Sequence, residues 1–181
     1  VRAAIDNSRM IIAQMNSKMP RVHGNSFIHI DQLDYIVHHD EPLLEFNNDP
    51  ESEVVGKIGQ YVSQLIQDGD TLQVGYGSLP NSILKNLGDK RDLGVHTELF
   101  SDGLVELIKS GVINNSKKSM NKGKTIASFC MGSESTYEFL NDNPSIEFLP
   151  IDVTNSPLNI AQQSNMVAIN SALEIDLTGQ A

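Results

Sequence analysis

Thr71-Leu72-Gln73-Val74-Gly75-Tyr76-Gly77-Ser78-Leu79-Pro80-Asn81-Ser82-Ile83-Leu84-Lys85-Asn86-Leu87 (residues 71–87) decides the fold. Thr71–Gly75 is strand-like, and Pro80–Leu87 has the spacing of a short helix. Between them lies a glycine turn. Gly75 and Gly77 admit backbone conformations closed to other residues and let a ligand approach the main chain. Ser78 is placed to cap the helix, whose N-terminus favours negative charge. The turn lacks the third glycine of a dinucleotide fingerprint and the Gly-Lys-Ser/Thr of a P-loop, so neither of those readings applies.

Working outward, the same order recurs. Gly94–Glu98 reads as a strand, followed by a helix over about Asp102–Lys109 that Gly111 stops. Lys124–Met131 is a buried-looking strand and Thr136–Leu140 a short helix. Ser145–Ile151 is a strand, Pro157–Gln163 a helix, and Met166–Leu177 one or two further strands. Upstream, residues 2–16 have near-helical apolar spacing, Ser26–Ile30 reads as a strand, and a short turn then leads to Tyr35–Val37. Val54, Val55, Ile58, Tyr61, Val62, Leu65 and Ile66 form one apolar stripe on a helix. Asp49 or Ser52 is placed to cap that helix, Pro50 suits its first turn, and Gly69 ends it. The polar stretch His39–Ser52 before it is the best linker candidate. Strand, turn and helix in succession imply an α/β fold: a parallel sheet flanked by helices, incomplete at both ends.

Composition bounds the function. A chain of 181 residues, 39% hydrophobic, can bury one substantial core. Its net charge of −10 lacks the basic footprint of a nucleic-acid binder. No apolar run reaches the roughly 20 residues needed to cross a membrane. Cys130 has no second cysteine to pair with, so a reducing cytoplasm is the simplest setting. The pattern is cut at both edges, as expected for a piece of something longer.

Ligands in such sheets sit beyond the carboxyl ends of the strands, where the glycine turn and Glu98 both fall. Strand alternation puts His96 and Glu98 on one face and Thr97 on the other. From chemistry alone, Glu98 reads either as a solvated strand-end carboxylate or as a nucleophile. His96 reads as a packing histidine, Asp102 as a helix cap and Cys130 as buried filler. His38 and His39 point to opposite faces and make a poor chelate. Lys117, Lys118, Lys122 and Lys124 form either a solvated loop or a phosphate-contacting patch, the only dense positive cluster in an acidic chain.

Thr71–Leu84 together with Val95-His96-Thr97-Glu98-Leu99-Phe100-Ser101-Asp102-Gly103-Leu104 resembles the acetyl-CoA hydrolase/transferase family, nearest its 4-hydroxybutyrate and butyrate CoA-transferase branch. Residues 19–29, 111–118 and 169–180 extend the likeness over essentially the whole chain. The resemblance implies a division into 1–45, the end of an N-terminal CoA-transferase domain; 46–53, a linker; and 54–181, the first half of a C-terminal domain. It implies Glu98 as the nucleophile, forming a glutamyl-CoA thioester. It implies Gly75, Tyr76, Gly77, Ser78 and Leu79 as the CoA-contacting loop, supplying N–H donors to the oxyanion. Coenzyme A or acyl-CoA is then a substrate, with a short-chain carboxylate as its partner and no permanent cofactor or metal. A family member continues past Gly179-Gln180 into a second glycine-rich loop, so weak CoA binding and exposed apolar surface are expected here. Homo-oligomerisation follows from such a surface. Two other readings stand beside the transferase: an acyl-CoA hydrolase using the same glutamate, and an inactive fragment or interaction module.

Overall fold

The computed structural model describes residues 1–46, 51–75 and 77–181. All of its strand pairing is parallel. Strands β4 (Thr71–Val74) and β5 (Gly94–Val95) lie side by side, with β10 (Met166–Ile169) on the far side of β4. A second ladder has β9 (Ile146–Phe148) at its centre, with β7 (Thr125–Ala127) on one side and β2 (His23–Gly24) on the other. Single bridges, Leu93 to Ile113 and His96 to Ile126, sew β5 to its neighbours, so the two ladders continue one another. The lines of β5 and β7 resume as β6 (Leu99–Phe100) and β8 (Phe129–Cys130), which pair with each other. A separate ladder joins β1 (Ile12–Met15) to β3 (Tyr35–His38).

Helices cover the central strands. α3 (Ser78–Lys85) and α4 (Asp102–Lys109) bury Ile83, Leu84, Leu104 and Val105 against Leu72, Val95 and Phe100. Leu72, Val95 and Phe100 are fully buried, as central strands of a doubly covered parallel sheet should be. α2 (Glu53–Ser63) packs on α3, and the Ser82 hydroxyl donates to Glu51 and to the Val55 carbonyl across the contact. α5 (Glu134–Leu140), α6 (Ile151–Thr154) and α7 (Pro157–Ala161) complete the crossovers.

Several expectations change. Residues 2–16 are not one helix: α1 (Arg2–Asn7) stops at Ser8, and β1 begins at Ile12, where pairing with Tyr35 captures the chain. Ser26–Ile30 forms no strand; the pairing falls earlier, at His23–Gly24 with Glu147–Phe148. The α2 stripe is divided between two faces. Val55, Val62 and Ile66 turn inward, while Val54, Ile58, Tyr61 and Leu65 are exposed. Ser52 caps α2 by accepting from the Val55 N–H, whereas Asp49, Pro50 and the middle of the expected linker lie outside the described residues. Gly94–Glu98 is interrupted after Val95, and Lys124–Met131 breaks at Ser128. Beyond Ile169 no further strand forms among the described residues, and Asp176–Gln180 closes into a turn.

Candidate functional site

The register of β4 against β5 fixes the geometry of the site. Thr71 lies opposite Gly94 and Leu72 opposite Val95, a constant offset of 23 residues. The same offset carried upward sets Val74 level with Thr97 and Gly75 level with Glu98. The first of these is realised by side-chain bonds. The Thr97 hydroxyl accepts from the Val74 N–H at 3.1 Å and donates to the Val74 carbonyl at 3.0 Å. Adjacent strands stand about 4.8 Å apart, and this clamp holds the last residue of β4 against the residue before Glu98.

Each partner of the pair has its own support. Gly75 donates to the Ile169 carbonyl at 2.8 Å, and a Cβ there would lie 2.6 Å from Asn170 Oδ1. A side chain there would push the Asn170 amide aside and crowd the Ile169 carbonyl at 3.2 Å. Asn170 and Gln73 exchange amide hydrogen bonds at 2.9 and 3.2 Å, which locks β10 to β4 beneath the turn. Gly77 is the N-cap of α3 at φ +119°, and Ser78 is the helix's first residue rather than its cap. Leu79 is half-buried on the first turn; Tyr76 lies outside the described residues. A small cavity between the turn and β6 is lined by Phe46, Gly75, Gly77, Asn81, Ser101 and Asp102 among others, but not by Glu98.

Glu98 is half-buried in the gap between β5 and β6. Its carbonyl accepts from the N–H groups of Ser128 and Phe129, at the matching break between β7 and β8. Its carboxylate accepts from Asn155 Nδ2 at 3.0 Å. Asn155 ends α6, and that turn is pinned beside it. His96 Nε2 donates to the Thr154 carbonyl at 2.8 Å, and Ser128 Oγ contacts Thr154 Oγ1 at 2.5 Å. His96 and Glu98 thus face the same turn, with Thr97 opposite, in line with the alternation of the strand. With Nε2 carrying its proton, buried His96 keeps Nδ1 bare and without a partner. Burial lowers its pKa, which opposes the effect of the Thr154 hydrogen bond, and the neighbouring Lys118 lowers it further.

Asp102 is not the cap of its own helix. Its carboxylate accepts from the Ser133 N–H and from the Ser133 and Thr136 hydroxyls, so it anchors the start of α5 instead. Lys118 overturns both readings of the lysine cluster at its own position. It is 2% exposed, and its Nζ donates to the carbonyls of Val95 and Lys124 at 2.7 Å each. Lys124 bonds the Pro144 carbonyl and pairs with Glu147 at 3.5 Å. Cys130 is half-buried, and burial, with the Asp102 charge, pushes its thiol up to about 12, so it is inert filler. Among the described residues, no group of His, Cys, Asp and Glu is arranged to hold a metal, and no helix is long and apolar enough to cross a membrane.

Sequence reasoning missed Thr97, Asn155, Gln73 and Asn170. Asn155 lies in the loop-like run Thr154-Asn155-Ser156-Pro157, whose only local signal is the cap that Ser156 provides to α7.

Comparison with known proteins bears directly on this arrangement. Residues 1–46 match the model of the acetyl-CoA hydrolase/transferase N-terminal domain, and residues 132–181 that of the C-terminal domain. The chain is 48% identical to the succinyl-CoA:cyclohexane-1-carboxylate CoA transferase of Geobacter metallireducens, over 98% of its own length and 40% of that protein's. It is 44% identical to the 4-hydroxybutyrate coenzyme A transferase of Clostridium kluyveri, over 99% of its own length and 42% of the relative's. Among solved structures, RipA from Yersinia pestis superposes with a TM-score of 0.94 at 41% identity, covering 97% of this chain and 41% of RipA. The 4-hydroxybutyrate CoA-transferase of Porphyromonas gingivalis gives a TM-score of 0.93 at 42% identity, covering 97% of this chain and 45% of that one. The chain therefore spans less than half the length of these relatives. With the family's two domain models matching its two ends and these relatives aligning along its length, it belongs to the acetyl-CoA hydrolase/transferase family.

Proposed function

We propose that this chain carries the nucleophile and part of the CoA cradle of a CoA-transferase that moves coenzyme A from a short-chain acyl-CoA to a carboxylate. The observation that carries the reading is the 23-residue offset of β4 against β5, continued by the Thr97–Val74 bonds; carried one residue further, it would bring the glycine turn level with Glu98. A Glu98 carboxylate oxygen attacks the thioester carbonyl, and the C–S bond breaks to release CoA thiolate and leave a mixed anhydride. The thiolate then attacks the glutamyl carbonyl, expelling the acyl carboxylate and forming a glutamyl-CoA thioester. An acceptor carboxylate takes the CoA by the same steps in reverse. Splitting one exchange into several suits a weak carboxylate nucleophile. N–H groups at the start of α3, beyond Gly77, are the donors we assign to the tetrahedral oxyanion. Residues 75–79 fill the CoA-contacting role, and the Asn155 amide steers the carboxylate.

Two further points belong to this reading. We divide the chain into 1–45 and 54–181, joined through 46–53; the N-terminal family match ends at residue 46 and the C-terminal one begins at residue 132. The exposed row Val54, Ile58, Tyr61 and Leu65 supports self-association of the enzyme. The relatives named above are transferases, which favours a carboxylate over water as acceptor. The test is intact mass after incubation with an acyl-CoA. Wild type is expected to gain the mass of CoA less one water, and Glu98→Gln to gain nothing. An adduct that persists in Glu98→Gln, or none in wild type, overturns the proposal. Added carboxylates should discharge the adduct faster than buffer does.

A further inference from the structure

The β4–β5 ladder runs by main-chain bonds only as far as Leu72 and His96. Gly94 donates to the Asp70 carbonyl and His96 to the Leu72 carbonyl, each step two residues further along both strands. The next step would take the Glu98 N–H to the Val74 carbonyl. At that position the Val74 carbonyl instead accepts from the Thr97 hydroxyl, and the same hydroxyl accepts from the Val74 N–H. Thr97 is 1% exposed, so water has little access to replace it. One side chain thus satisfies both polar groups of the last residue before Gly75, and it belongs to the residue just before Glu98.

We infer that Thr97 is a positioning residue for the acyl-transfer reaction, its hydroxyl clamping the glycine turn at the height of the Glu98 carboxylate. The inference rests on the active-site reading above. Two features of the clamp favour it over a role in packing alone. First, the bonds are made to the strand residue adjoining the turn, so they set the turn's height directly. Second, a regular main-chain step would tie Glu98 into the ladder, whereas the hydroxyl lets β5 end and the chain change partner to β8 while β4 stays anchored. A threonine methyl and hydroxyl are close in size to the two methyls of valine. Thr97→Val therefore removes the bonds with little change of shape, and leaves the Val74 N–H and carbonyl buried without partners.

Thr97→Val and Thr97→Ser, alongside wild type, decide the matter with two readouts. The first is the single-turnover rate of CoA-adduct formation, followed by intact mass with an acyl-CoA. An ångström of misplacement at a reacting centre costs up to about a hundredfold. Thr97→Val is expected to slow adduct formation by about ten- to a hundredfold, and Thr97→Ser to restore it to within about threefold. The second readout is hydrogen–deuterium exchange, in which the Val74 amide should exchange faster in Thr97→Val and regain protection in Thr97→Ser. Wild-type rates and protection in Thr97→Val overturn the inference while leaving the transferase reading intact. So does a Thr97→Ser variant as slow as Thr97→Val, because the methyl would then be what matters. Absence of any adduct in wild type overturns the transferase reading, and the positioning role falls with it, whatever the exchange data show.

Discussion

Replacing Lys118 by methionine should produce a stability loss that grows with pH. Lys118 is buried beneath β5, and burial lowers its pKa from 10.5 to about 7, against the opposing pull of Glu147. The unfolded chain has an ordinary lysine, so between about pH 7 and 10.5 it binds a proton that the folded chain does not. Stability therefore rises with pH across that window, by up to about 1.4 kcal/mol per pH unit, and the gain is lost as pH falls through the folded pKa. From pH 7 to pH 9 the wild-type protein should gain about 2 kcal/mol from this group, and Lys118→Met nothing. The variant also removes a donor from the Val95 and Lys124 carbonyls, a cost of about 1–3 kcal/mol at every pH. Urea unfolding of both proteins at pH 7 and pH 9 separates the two effects, because other titrations cancel between them. The gap between wild type and variant should widen by about 2 kcal/mol at pH 9. A gap of equal size at both pH values, or one larger at pH 7, would refute a buried amine that sheds its proton on folding.

Asn155→Ala removes the amide that donates to the Glu98 carboxylate. Adduct formation should slow by about tenfold with unfolding midpoints little changed, read by the same mass assay and by urea titration. Tyr61→Glu places a charge in the exposed row of α2 and should shift sedimentation velocity toward the monomer. Sedimentation identical to wild type would remove that face from self-association.

The strand–turn–helix order was legible because each element repeats a local signal: an apolar run, a glycine, then helical spacing. α4 falls at Asp102–Lys109, where the sequence put it, since Gly111 at φ +81° stops it. Failures occurred where long-range pairing decides. Ile12–Met15 has helical spacing locally, but Tyr35–His38, remote in sequence, draws it into a strand. His23–Gly24 is too short to read as a strand until Phe148 lies beside it. The same division holds within the site. Gly75 and Glu98 were visible as residue types at strand ends, whereas the threonine that holds them level looks like any β-branched strand residue. Lys118 shows the limit most sharply. Its neighbours in sequence are serines and lysines, and only the fold reveals that its target is a backbone carbonyl 23 residues away.

That carbonyl points to why so many polar side chains are buried around one pair of strands. Val95 has side-chain partners for both of its main-chain polar groups, beside the single bridge that ties this strand to β7. Its N–H donates to Asn115 Oδ1 at 2.9 Å, and its carbonyl accepts from Lys118. Asn115 is steadied in turn by a bond to the Thr125 hydroxyl. On the other flank, Thr97 serves Val74 in the same way. A parallel sheet closed by main-chain bonds would run unbroken through this point and leave a strand residue such as Glu98 tied within it. Side-chain rungs let β5 stop, let the chain change neighbours between His96 and Leu99, and still leave the donors and acceptors at Val74 and Val95 paired. The half-buried carboxylate sits in that gap. Thr97, Asn115 and Lys118 thus bond main-chain groups at the ends of β4 and β5, on either side of the break in which Glu98 lies, because a strand that stops inside a sheet leaves polar groups that side chains must satisfy.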